Sequence, residues 1–370
     1  MAELADIFRV SATSYFAKHG QKMLPSHKRA IRDIIRCRTE ALGGSVYLCR
    51  QCEDYRYSYH SCKNRHCPKC GNAAATAWIA AHSAMLLPVP HFLVTVTLPA
   101  SLRQLARRNQ KLIYDLMMRC AAQAIQKLAK DPKWIGGELG IIGVLQTWAR
   151  DLHYHPHVHF IVSGGGISAD GHKWLPAQGN FLMPHRAVAH IFRAKFRDAL
   201  RQAAPELFAQ APPEAWKTRW VVDIRPAGSG KTALKYLAPY IFRVAISNKR
   251  IVSFKDGLVT FRYQDNNDTW HCKTLPAEAF MSRFLQHVLP RRFVKVRYYG
   301  FLNPRKRALL EAAQARFGVT PAKGNCSGEP PDTDKPPVMR CPKCGTPLVF
   351  VREIPPLRQS ESFANACRAP

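Results

Sequence analysis

The chain has 370 residues, enough for roughly two to three domains and at least one sizeable hydrophobic core. Hydrophobic residues make up 46% of it and charged residues 22%, which excludes a wholly disordered or collagen-like protein. The 55 Lys and Arg residues outnumber the 25 Asp and Glu residues, so the formal net charge is +30. A surface of this charge attracts polyanions, and we expect its partner to be nucleic acid.

Neither export nor membrane insertion is expected. Glu3 and Asp6 stand where a signal peptide requires Lys or Arg. The most apolar stretch, residues 85–98, is interrupted by prolines and a histidine and is too short to span a bilayer. We therefore expect a cytoplasmic, nucleoid-associated protein with no membrane partner. Its 12 cysteines are then more typical of metal sites than of disulfide bonds, because the cytoplasm keeps thiols reduced.

From the N-terminus onwards, the apolar pattern first predicts helices over residues 2–40 and then a cysteine-rich stretch over 49–70. Further helices are predicted over residues 101–130, 184–201, 231–244, 276–289 and 304–317. Strands are predicted over residues 91–98, 141–148, 158–163, 219–224, 251–254, 258–263 and 293–299. The glycines at 164–166 are expected to end the third of these strands. This alternation predicts an α+β protein whose central sheet carries helices.

Two CxxC motifs, separated by residues 53–66, dominate the cysteine-rich stretch. Their cysteines are Cys49, Cys52, Cys67 and Cys70. Each motif presents two thiolates, so together they complete the tetrahedral shell of one structural Zn²⁺ and predict a zinc ribbon. Cys62 and His66 lie between the motifs and are alternative ligands. Near the C-terminus Cys341 and Cys344 form a further CxxC motif, a candidate second zinc site whose candidate partners are Cys326 and Cys367.

The predicted ribbon also carries basic and aromatic residues. Lys63 and Arg65 are expected to contact DNA phosphates. Three tyrosines occur nearby, namely Tyr55, Tyr57 and Tyr59. Their rings either stack on bases or fill the small core of the ribbon, and both interpretations remain open.

Four histidines alternate with other residues along one predicted strand, namely His153, His155, His157 and His159. Alternate side chains of a strand share a face, so His157 and His159 point together while Val158 points into the core. Two adjacent imidazoles form half of a divalent-metal site and require a third ligand with oxygen or nitrogen. Gln146 on the preceding strand is the first candidate for this ligand, and His153 is the second.

Tyr236 and Tyr240 are placed to share one face of the helix predicted over residues 231–244. A tyrosine can form a covalent intermediate as a nucleophile, but its ordinary pKa near 10 means that it needs neighbouring positive charge or a metal. Pro239 is expected to kink this helix, so the two hydroxyls are not expected to be equivalent. The basic residues that follow are expected to position DNA phosphates, and they are Arg243, Lys249 and Arg250.

The segment over residues 230–232 is not interpreted as a nucleotide-binding site. Gly230, Lys231 and Thr232 resemble the end of a phosphate-binding loop, but Arg225 stands where that motif requires its first glycine. We therefore expect no use of ATP. Strand separation would then come from a host helicase or from DNA that is already single-stranded.

The doubled CxxC ribbon, the His-Pro-His-Val-His strand with its three glycines, and the Tyr-x-x-x-Tyr helix occur in this order over residues 10–300. In this combination the sequence resembles the two-tyrosine HUH transposases of rolling-circle bacterial insertion sequences. The resemblance implies an HUH endonuclease core, which is an antiparallel sheet flanked by helices, behind an N-terminal helical and zinc-ribbon domain. It also implies that His157 and His159 bind catalytic Mg²⁺ or Mn²⁺ and that Tyr236 and Tyr240 are the nucleophiles.

The implied function is that of a DNA transposase, which nicks and rejoins single-stranded DNA at the element's ends and at the target through a 5′-phosphotyrosine intermediate. Two alternatives stay open, a rolling-circle replication initiator or relaxase and a non-catalytic zinc-ribbon DNA-binding protein. The expected domains are a helical and zinc-ribbon domain (1–84), an HUH catalytic domain with the tyrosine helix (85–265), a C-terminal α/β extension of it (266–320) and a flexible tail with a candidate zinc knuckle (321–370).

Overall fold

The computed structural model describes residues 2–70, 78, 82, 85–229, 232, 244–265, 267–319 and 339–357. The α-helices of this part of the chain are α1 (Leu4–His19), α2 (Pro25–Arg36), α3 (Arg103–Arg108), α4 (Gln110–Ala129), α5 (His185–Ala203), α6 (Pro205–Ala209), α7 (Glu214–Lys217), α8 (Ala277–Leu285) and α9 (Arg307–Arg316). The strands are β1 (Gly44–Cys49), β2 (Asp54–Tyr59), β3 (Pro90–Thr97), β4 (Glu138–Trp148), β5 (Tyr154–Ile167), β6 (Trp174–Pro176), β7 (Val221–Ser229), β8 (Ile251–Lys255), β9 (Leu258–Gln264), β10 (Trp270–Pro276), β11 (Val296–Gly300) and β12 (Val349–Ile354). Tyr236, Tyr240 and Arg243 of the predicted tyrosine helix lie outside the described residues.

The central sheet is antiparallel throughout, in the order β11–β4–β5–β3–β7, and β6 pairs with β5 beside this path. Its inner strands β3, β4 and β5 are rich in β-branched and aromatic residues, which pack well on a pleated surface. The sequence-based expectation of an α+β fold with an antiparallel sheet is confirmed. Strand β11 comes from the predicted extension over residues 266–320, and its pairing with β4 makes this segment an edge of the sheet.

Both faces of the central sheet are covered. Val158 and Phe160 of β5 are fully buried in the same apolar cluster as Phe192 of α5, so helices α4 and α5 form the layer on this face. Ile161 belongs to a second cluster on the opposite face, with Leu86, Leu87, Val89 and Phe301, which follows β11. Because β5 is covered on both sides, the polar side chains of His157 and His159 are buried.

The three glycines do not end β5, and this expectation was wrong. The strand continues to Ile167, and Gly166 pairs with Leu139 of β4 on one side and Leu175 of β6 on the other. A Cβ at Gly164 would lie 2.6 Å from the Pro90 carbonyl oxygen, and one at Gly166 would lie 2.9 Å from the backbone of Gly137. Here glycine permits neighbouring backbones to approach closely, which is a different use from terminating a strand.

A second antiparallel sheet consists of β8, β9 and β10. The predicted hairpin between β8 and β9 is confirmed, and its turn residues Asp256 and Gly257 both have positive φ, at 49° and 72°. Strand β10 was not predicted. This sheet and α8 share an apolar cluster with helices α1 and α2, in which the rings of Phe8 and Phe284 meet edge to face at 5.4 Å. No helix among the described residues is long and apolar enough to cross a membrane.

A third sheet, in the order β12–β1–β2, brings the two ends of the chain together. Residues Gly44 to Leu48 of β1 pair with β12 on one edge and with β2 on the other. Strand β12 lies in the segment that was expected to be a flexible tail, and that expectation does not hold for residues 349–354. The strand pairs because a hairpin of two strands leaves one edge of β1 available for backbone hydrogen bonds.

Candidate active site and metal centres

The four alternating histidines form a row, which we call the histidine row: His153, His155, His157 and His159. The last three lie on one face of β5, and His153 immediately precedes this strand. Successive rings are 5.7, 5.2 and 4.8 Å apart between centroids. In the register of the sheet, His157 lies opposite Gln146 of β4, and His159 lies opposite Thr95 of β3. The strand period therefore brings together the two predicted metal ligands and the first candidate for the third.

Hydrogen bonds orient the two central rings. The Nδ1 of His157 lies 2.7 Å from the His155 carbonyl oxygen, so this nitrogen carries the proton and donates, which leaves Nε2 as the basic nitrogen. The Nδ1 of His159 lies 3.1 Å from the hydroxyl of Thr95. Burial lowers the pKa of His157 to about 4 and that of His159 well below its usual range. Both imidazoles are neutral near pH 7, which is the form that binds metal.

Gln146 supplies the third ligand atom of the candidate metal site. Its side-chain nitrogen donates to the Trp148 carbonyl oxygen at 3.2 Å. Its side-chain oxygen is buried and has no hydrogen-bond partner among the described residues. A buried acceptor without a partner is costly unless a cation or a donor meets it. Two neutral imidazoles and one amide oxygen fit Mg²⁺ or Mn²⁺. The second candidate ligand, His153, is exposed and pairs with Asp151 instead.

A cavity of about 600 Å³ opens over the histidine row. The opposite wall is made by the second sheet, through Tyr263 and Trp270, and basic side chains stand at the rim, Arg150 and Arg250. The Trp270 side chain is largely exposed, and the Arg262 guanidinium lies 5.1 Å from its ring centroid. Tyr263 and Trp270 were not singled out from the sequence, because nothing in local spacing shows that this sheet faces the histidines.

Several contacts fix the second sheet beside the histidine row. Arg150, in the turn between β4 and β5, donates to the Asp265 carbonyl oxygen. Arg250 donates to the carbonyl oxygens of Arg262, at 2.8 Å, and of Arg150. Lys273 and Asp151 form an ion pair of 2.9 Å. Two of the residues predicted to position phosphates can thus be located. Arg250 lies at the cavity and also donates hydrogen bonds to backbone carbonyls, and Lys249 is exposed on the surface.

Arg103 was also missed by the sequence analysis. It begins α3 and donates to Nδ1 of His155 at 2.7 Å, which places a guanidinium beside the outer part of the histidine row. Burial is the main cause that lowers the pKa of His155 to about 4, and the charge of Arg103 acts in the same direction. The row thus has a cation next to it that phosphate oxygens can contact.

In the ribbon, the two predicted phosphate-binding residues differ. Lys63 is exposed. Arg65 donates to the carbonyl oxygens of Phe293, at 2.7 Å, and Pro290, at 3.4 Å, so its guanidinium attaches the ribbon to the segment before β11. This structural contact was not expected from the sequence.

The prediction of one zinc site with four ligands from the two CxxC motifs was wrong. The cysteines form two clusters, and in each the four sulfur atoms lie within 4.8 Å of one another. The first cysteine cluster consists of Cys37, Cys62, Cys67 and Cys70. The second cysteine cluster consists of Cys49, Cys52, Cys341 and Cys344. Cys326 and Cys367, the candidate partners of the C-terminal motif, lie outside the described residues.

The β1–β2 hairpin is the physical reason for this division. Cys49 stands at its turn, opposite Asp54, whereas Gly44 and Tyr59 pair at its other end. Five residues of strand separate these ends by roughly 17 Å. The chain that contains Cys62, Cys67 and Cys70 leaves β2 at the end remote from Cys49, and Cys37 of the α2 terminus is there to complete its cluster.

Of the two alternative zinc ligands, Cys62 and His66, only the first lies in a cysteine cluster. Cys62 belongs to the first cluster. His66 does not, because its Nε2 accepts a hydrogen bond from the backbone N–H of Leu289 at 3.2 Å, and the imidazole is buried there. Burial also lowers the pKa of His66 well below its usual range, so the ring stays neutral in this structural role.

The sulfur separations of the first cluster fit zinc. Cys70 Sγ lies 3.5 Å from Cys37 Sγ and 3.7 Å from Cys62 Sγ. Tetrahedral zinc with Zn–S bonds of about 2.3 Å places its sulfurs about 3.8 Å apart, whereas a disulfide would require about 2.05 Å. The first cluster therefore has the geometry of a structural zinc site, as the sequence predicted for this domain.

A zinc-binding N-terminal domain, joined to an antiparallel sheet with a buried His-x-His pair, defines an α+β metalloprotein of the HUH type. Residues 140–308 match a family model described as "Putative transposase", and residues 7–98 match one described as "Transposase zinc-binding domain". The chain is 38% identical over 324 residues to "Putative transposase y4qJ" of Sinorhizobium fredii, across 82% of this chain and 81% of the relative.

A second relative is the "Transposase for insertion sequence element IS801" of Pseudomonas savastanoi pv. phaseolicola, which is 27% identical over 357 residues, across 88% of this chain and 83% of the relative. No solved structure matches the chain. The chain belongs to the IS91/IS801 family of insertion-sequence transposases, the two-tyrosine HUH transposases that its motifs resemble.

Proposed function

We propose that this transposase nicks and rejoins single-stranded DNA at the histidine row, with Tyr236 or Tyr240 as the nucleophile. The observation that carries the proposal is the arrangement of His157, His159 and Gln146, which presents neutral nitrogens and a buried amide oxygen to a cavity of about 600 Å³. The IS801 relative is named as a transposase, which supports the same reaction class for this chain.

In the proposed reaction, the tyrosine oxygen attacks the scissile phosphorus in line with the leaving 3′ oxygen. One P–O bond forms and one breaks, which gives a 5′-phosphotyrosine. The tyrosine hydroxyl loses its proton to solvent as it attacks, and the leaving oxygen takes up a proton from solvent to become a 3′-hydroxyl, so the step is balanced. The energy of the phosphodiester stays in the tyrosyl ester, so rejoining is the reverse attack by a 3′-hydroxyl and needs no ATP. When bound, Mg²⁺ or Mn²⁺ supplies charge neutralisation at the phosphate.

The protein residues have distinct tasks in this scheme. His157 and His159 hold the ion through neutral nitrogens whose orientation is set by the His155 carbonyl and by Thr95. Gln146 contributes its amide oxygen. Arg103, beside His155, and Arg250, at the cavity rim, supply positive charge for backbone phosphates of the bound strand. Lys249 contributes general attraction for DNA from an exposed position.

The cavity wall supports a single-stranded substrate. Tyr263 and Trp270 face the histidine row across the cavity, and their rings offer stacking surfaces. Unpaired bases can stack on such rings, whereas the bases of a duplex are already stacked on one another. The net charge of +30 supplies the sequence-independent attraction for DNA. We infer that the enzyme acts in the cytoplasm and binds no ATP. A host helicase, or DNA that is already single-stranded, then provides the substrate.

The test uses 3′-end-labelled single-stranded DNA that spans the termini of the element, incubated with purified protein and Mn²⁺. A denaturing gel should show label at the mass of the protein for the wild type and for Tyr47→Phe, a tyrosine of β1 that packs against Phe350 and serves as the matched control. The double variant Tyr236→Phe/Tyr240→Phe should give no adduct. The single variants rank the two nucleophiles.

The ligand assignment is tested in the same assay. His157→Ala should reduce the rate of adduct formation by about 10³-fold or more, because the charge neutralisation at the phosphate is lost. The control His172→Ala removes an imidazole outside the cavity and should retain the wild-type rate. DNA binding without any adduct, under Mg²⁺ and Mn²⁺, would favour the non-catalytic DNA-binding alternative. Cleavage without movement of the element would favour a replication initiator.

A further inference from the structure

We propose that the second cysteine cluster binds its own structural Zn²⁺ and that this ion fastens residues 339–357 to the N-terminal ribbon. Its ligands would be the two thiols at the turn of the β1–β2 hairpin and the two thiols of the C-terminal CxxC motif, namely Cys49, Cys52, Cys341 and Cys344. The site joins segments almost 300 residues apart in the sequence, and the matched zinc-binding domain, residues 7–98, contains only half of it.

The sulfur geometry supports a metal at this position. Cys49 Sγ lies 3.5 Å from Cys344 Sγ, and Cys52 Sγ lies 4.0 Å from Cys341 Sγ. These separations bracket the value of about 3.8 Å for tetrahedral zinc thiolates. All four cysteines are free thiols, and the alternative of two disulfides would require a much shorter contact.

The surroundings of the C-terminal motif fit a zinc knuckle. The backbone N–H of Gly345 donates to the Cys341 carbonyl oxygen at 2.8 Å, and the N–H of Cys341 donates to the Thr346 carbonyl oxygen at 2.8 Å, so the CxxC turn is closed by its own backbone. The hydroxyl of Thr346 lies 3.4 Å from Cys344 Sγ. This turn presents both sulfurs on the side that faces Cys49 and Cys52.

The weakness of the other contacts of β12 indicates why a metal is needed. Val349, Phe350 and Val351 are 39, 53 and 44% exposed, so the strand buries little apolar surface. The rings of Phe350 and Tyr47 meet edge to face at 5.9 Å, and the ion pair between Lys343 and Asp54 lies at the surface, where such pairs contribute little. Ordering each residue of the segment costs backbone entropy. Backbone pairing with β1 at an exposed edge does not offset this cost without a further link.

The two clusters are separate sites. They stand at opposite ends of the β1–β2 hairpin and share no cysteine. Loss of the second metal should therefore release the C-terminal segment while the first metal continues to hold α2 and the loop after β2. In small zinc domains the binding of structural Zn²⁺ supplies the free energy that folds the domain, so one ion can order a segment of this length.

Metal content gives the first test. The purified full-length protein, measured by inductively coupled plasma mass spectrometry, should contain two zinc ions per chain, and Cys341→Ser/Cys344→Ser should contain one. The matched control is Cys272→Ser, an exposed cysteine of β10 outside both clusters, which should retain two. One zinc in the wild type, or two in the double variant, would overturn the proposal.

A second test follows the segment itself. A specific protease site is inserted after residue 328 of the full-length protein, and the cleaved protein is passed over a size-exclusion column. The C-terminal fragment should co-elute with the body when zinc is bound and should dissociate in the Cys341→Ser/Cys344→Ser background. Dissociation from the zinc-loaded protein, or retention in that background, would contradict the fastening role. Neither test involves DNA cleavage, so this proposal and the proposed function fail independently.

Discussion

The histidine row and the cysteine clusters place metal ligands in opposite ways. The proposed ligands of the row, His157 and His159, lie within one strand, and their positions are fixed by the alternation of side chains along β5 and by pairing with β4. The cysteine clusters bring together segments that are distant in sequence. The greatest such distance is that between Cys49 and Cys344 of the second cluster. Local spacing therefore predicted the first arrangement and gave the wrong ligand sets for the second.

The two regions also differ in what holds them together. The row is built on a sheet with apolar layers on both faces, so its geometry exists without an ion. The zinc ribbon, together with β12, forms the three-stranded sheet β12–β1–β2. Many side chains of this sheet are exposed, and few of its apolar side chains are buried. Zinc is thus expected to be part of the ribbon's folding energy, whereas the catalytic metal is expected to bind a preformed site.

The largest expected effect is that of zinc removal. A strong chelator at neutral pH should unfold the ribbon and leave the central sheet folded, because only the ribbon depends on thiolate ligands. Hydrogen–deuterium exchange should show loss of protection over residues 44–59 and unchanged protection over residues 141–161. Equal loss in both regions would show that the sheet, too, depends on zinc, and the comparison would fail.

The reverse perturbation is a cavity in the central sheet. Phe160→Ala should lower the free energy of unfolding by about 3–5 kcal/mol, because this ring is fully buried and packs over Gly143. Urea denaturation measures this change, and zinc content should stay at the wild-type value. The matched control is Phe350→Ala in β12, where the ring is 53% exposed and the expected loss is less than about 1 kcal/mol. Similar losses for the two variants would contradict the assigned roles.

A smaller effect is expected at the cavity wall. Trp270→Ala should weaken binding of single-stranded DNA by about 1–3 kcal/mol, which corresponds to roughly 5- to 150-fold in the dissociation constant. Trp270→Phe keeps an aromatic surface and should retain most of the affinity. Fluorescence anisotropy at constant salt measures both variants. An unchanged affinity for Trp270→Ala would remove the second sheet from the proposed DNA path.

The smallest effect concerns pH. Burial lowers the pKa of His287 to about 4, below the ordinary value of 6.5, and this ring packs against Tyr154 behind the histidine row. Between these two values the unfolded chain takes up a proton that the folded protein does not, so the free energy of unfolding falls as the pH is lowered from 6.5 to 4. The slope from one group is at most about 1.4 kcal/mol per pH unit.

His287→Asn removes this proton while leaving a polar group near Thr147, which lies 3.3 Å from Nδ1 of His287. Urea denaturation at pH 7 and at pH 4.5 should therefore show a smaller acid-induced loss of stability in the variant than in the wild type. Parallel losses in the two proteins would mean that His287 is already protonated in the folded state.

Local rules account for much of the fold. The apolar runs of β3 and β4 and the Asp256–Gly257 turn were readable because a strand or a two-residue hairpin is specified by adjacent residues. The glycines of β5 were misread because close backbone approach depends on β4 and β6, which spacing does not show. Cys37 was overlooked for a similar reason: it ends a helix, and only the folded chain brings it to Cys70.

The candidate site divides in the same way. The His157–His159 pair and its partner Gln146 followed from period and strand order, whereas Trp270 and Arg103 reach the site through tertiary packing. No local pattern connects β10 or α3 to the histidine row. Sequence reasoning therefore found the residues proposed for the chemistry. Of those proposed to hold the DNA, it found Arg250 and Lys249 and missed Arg103, Tyr263 and Trp270.

The most direct test of the central claim is a crystal structure of the Tyr236→Phe/Tyr240→Phe protein with single-stranded DNA and Mn²⁺, with anomalous scattering recorded for manganese and zinc. The account predicts a manganese peak in contact with the His157 and His159 rings and with the Gln146 amide, next to a DNA phosphate, and zinc peaks in the cysteine clusters. Manganese bound elsewhere, with DNA seated away from the histidine row, would contradict it.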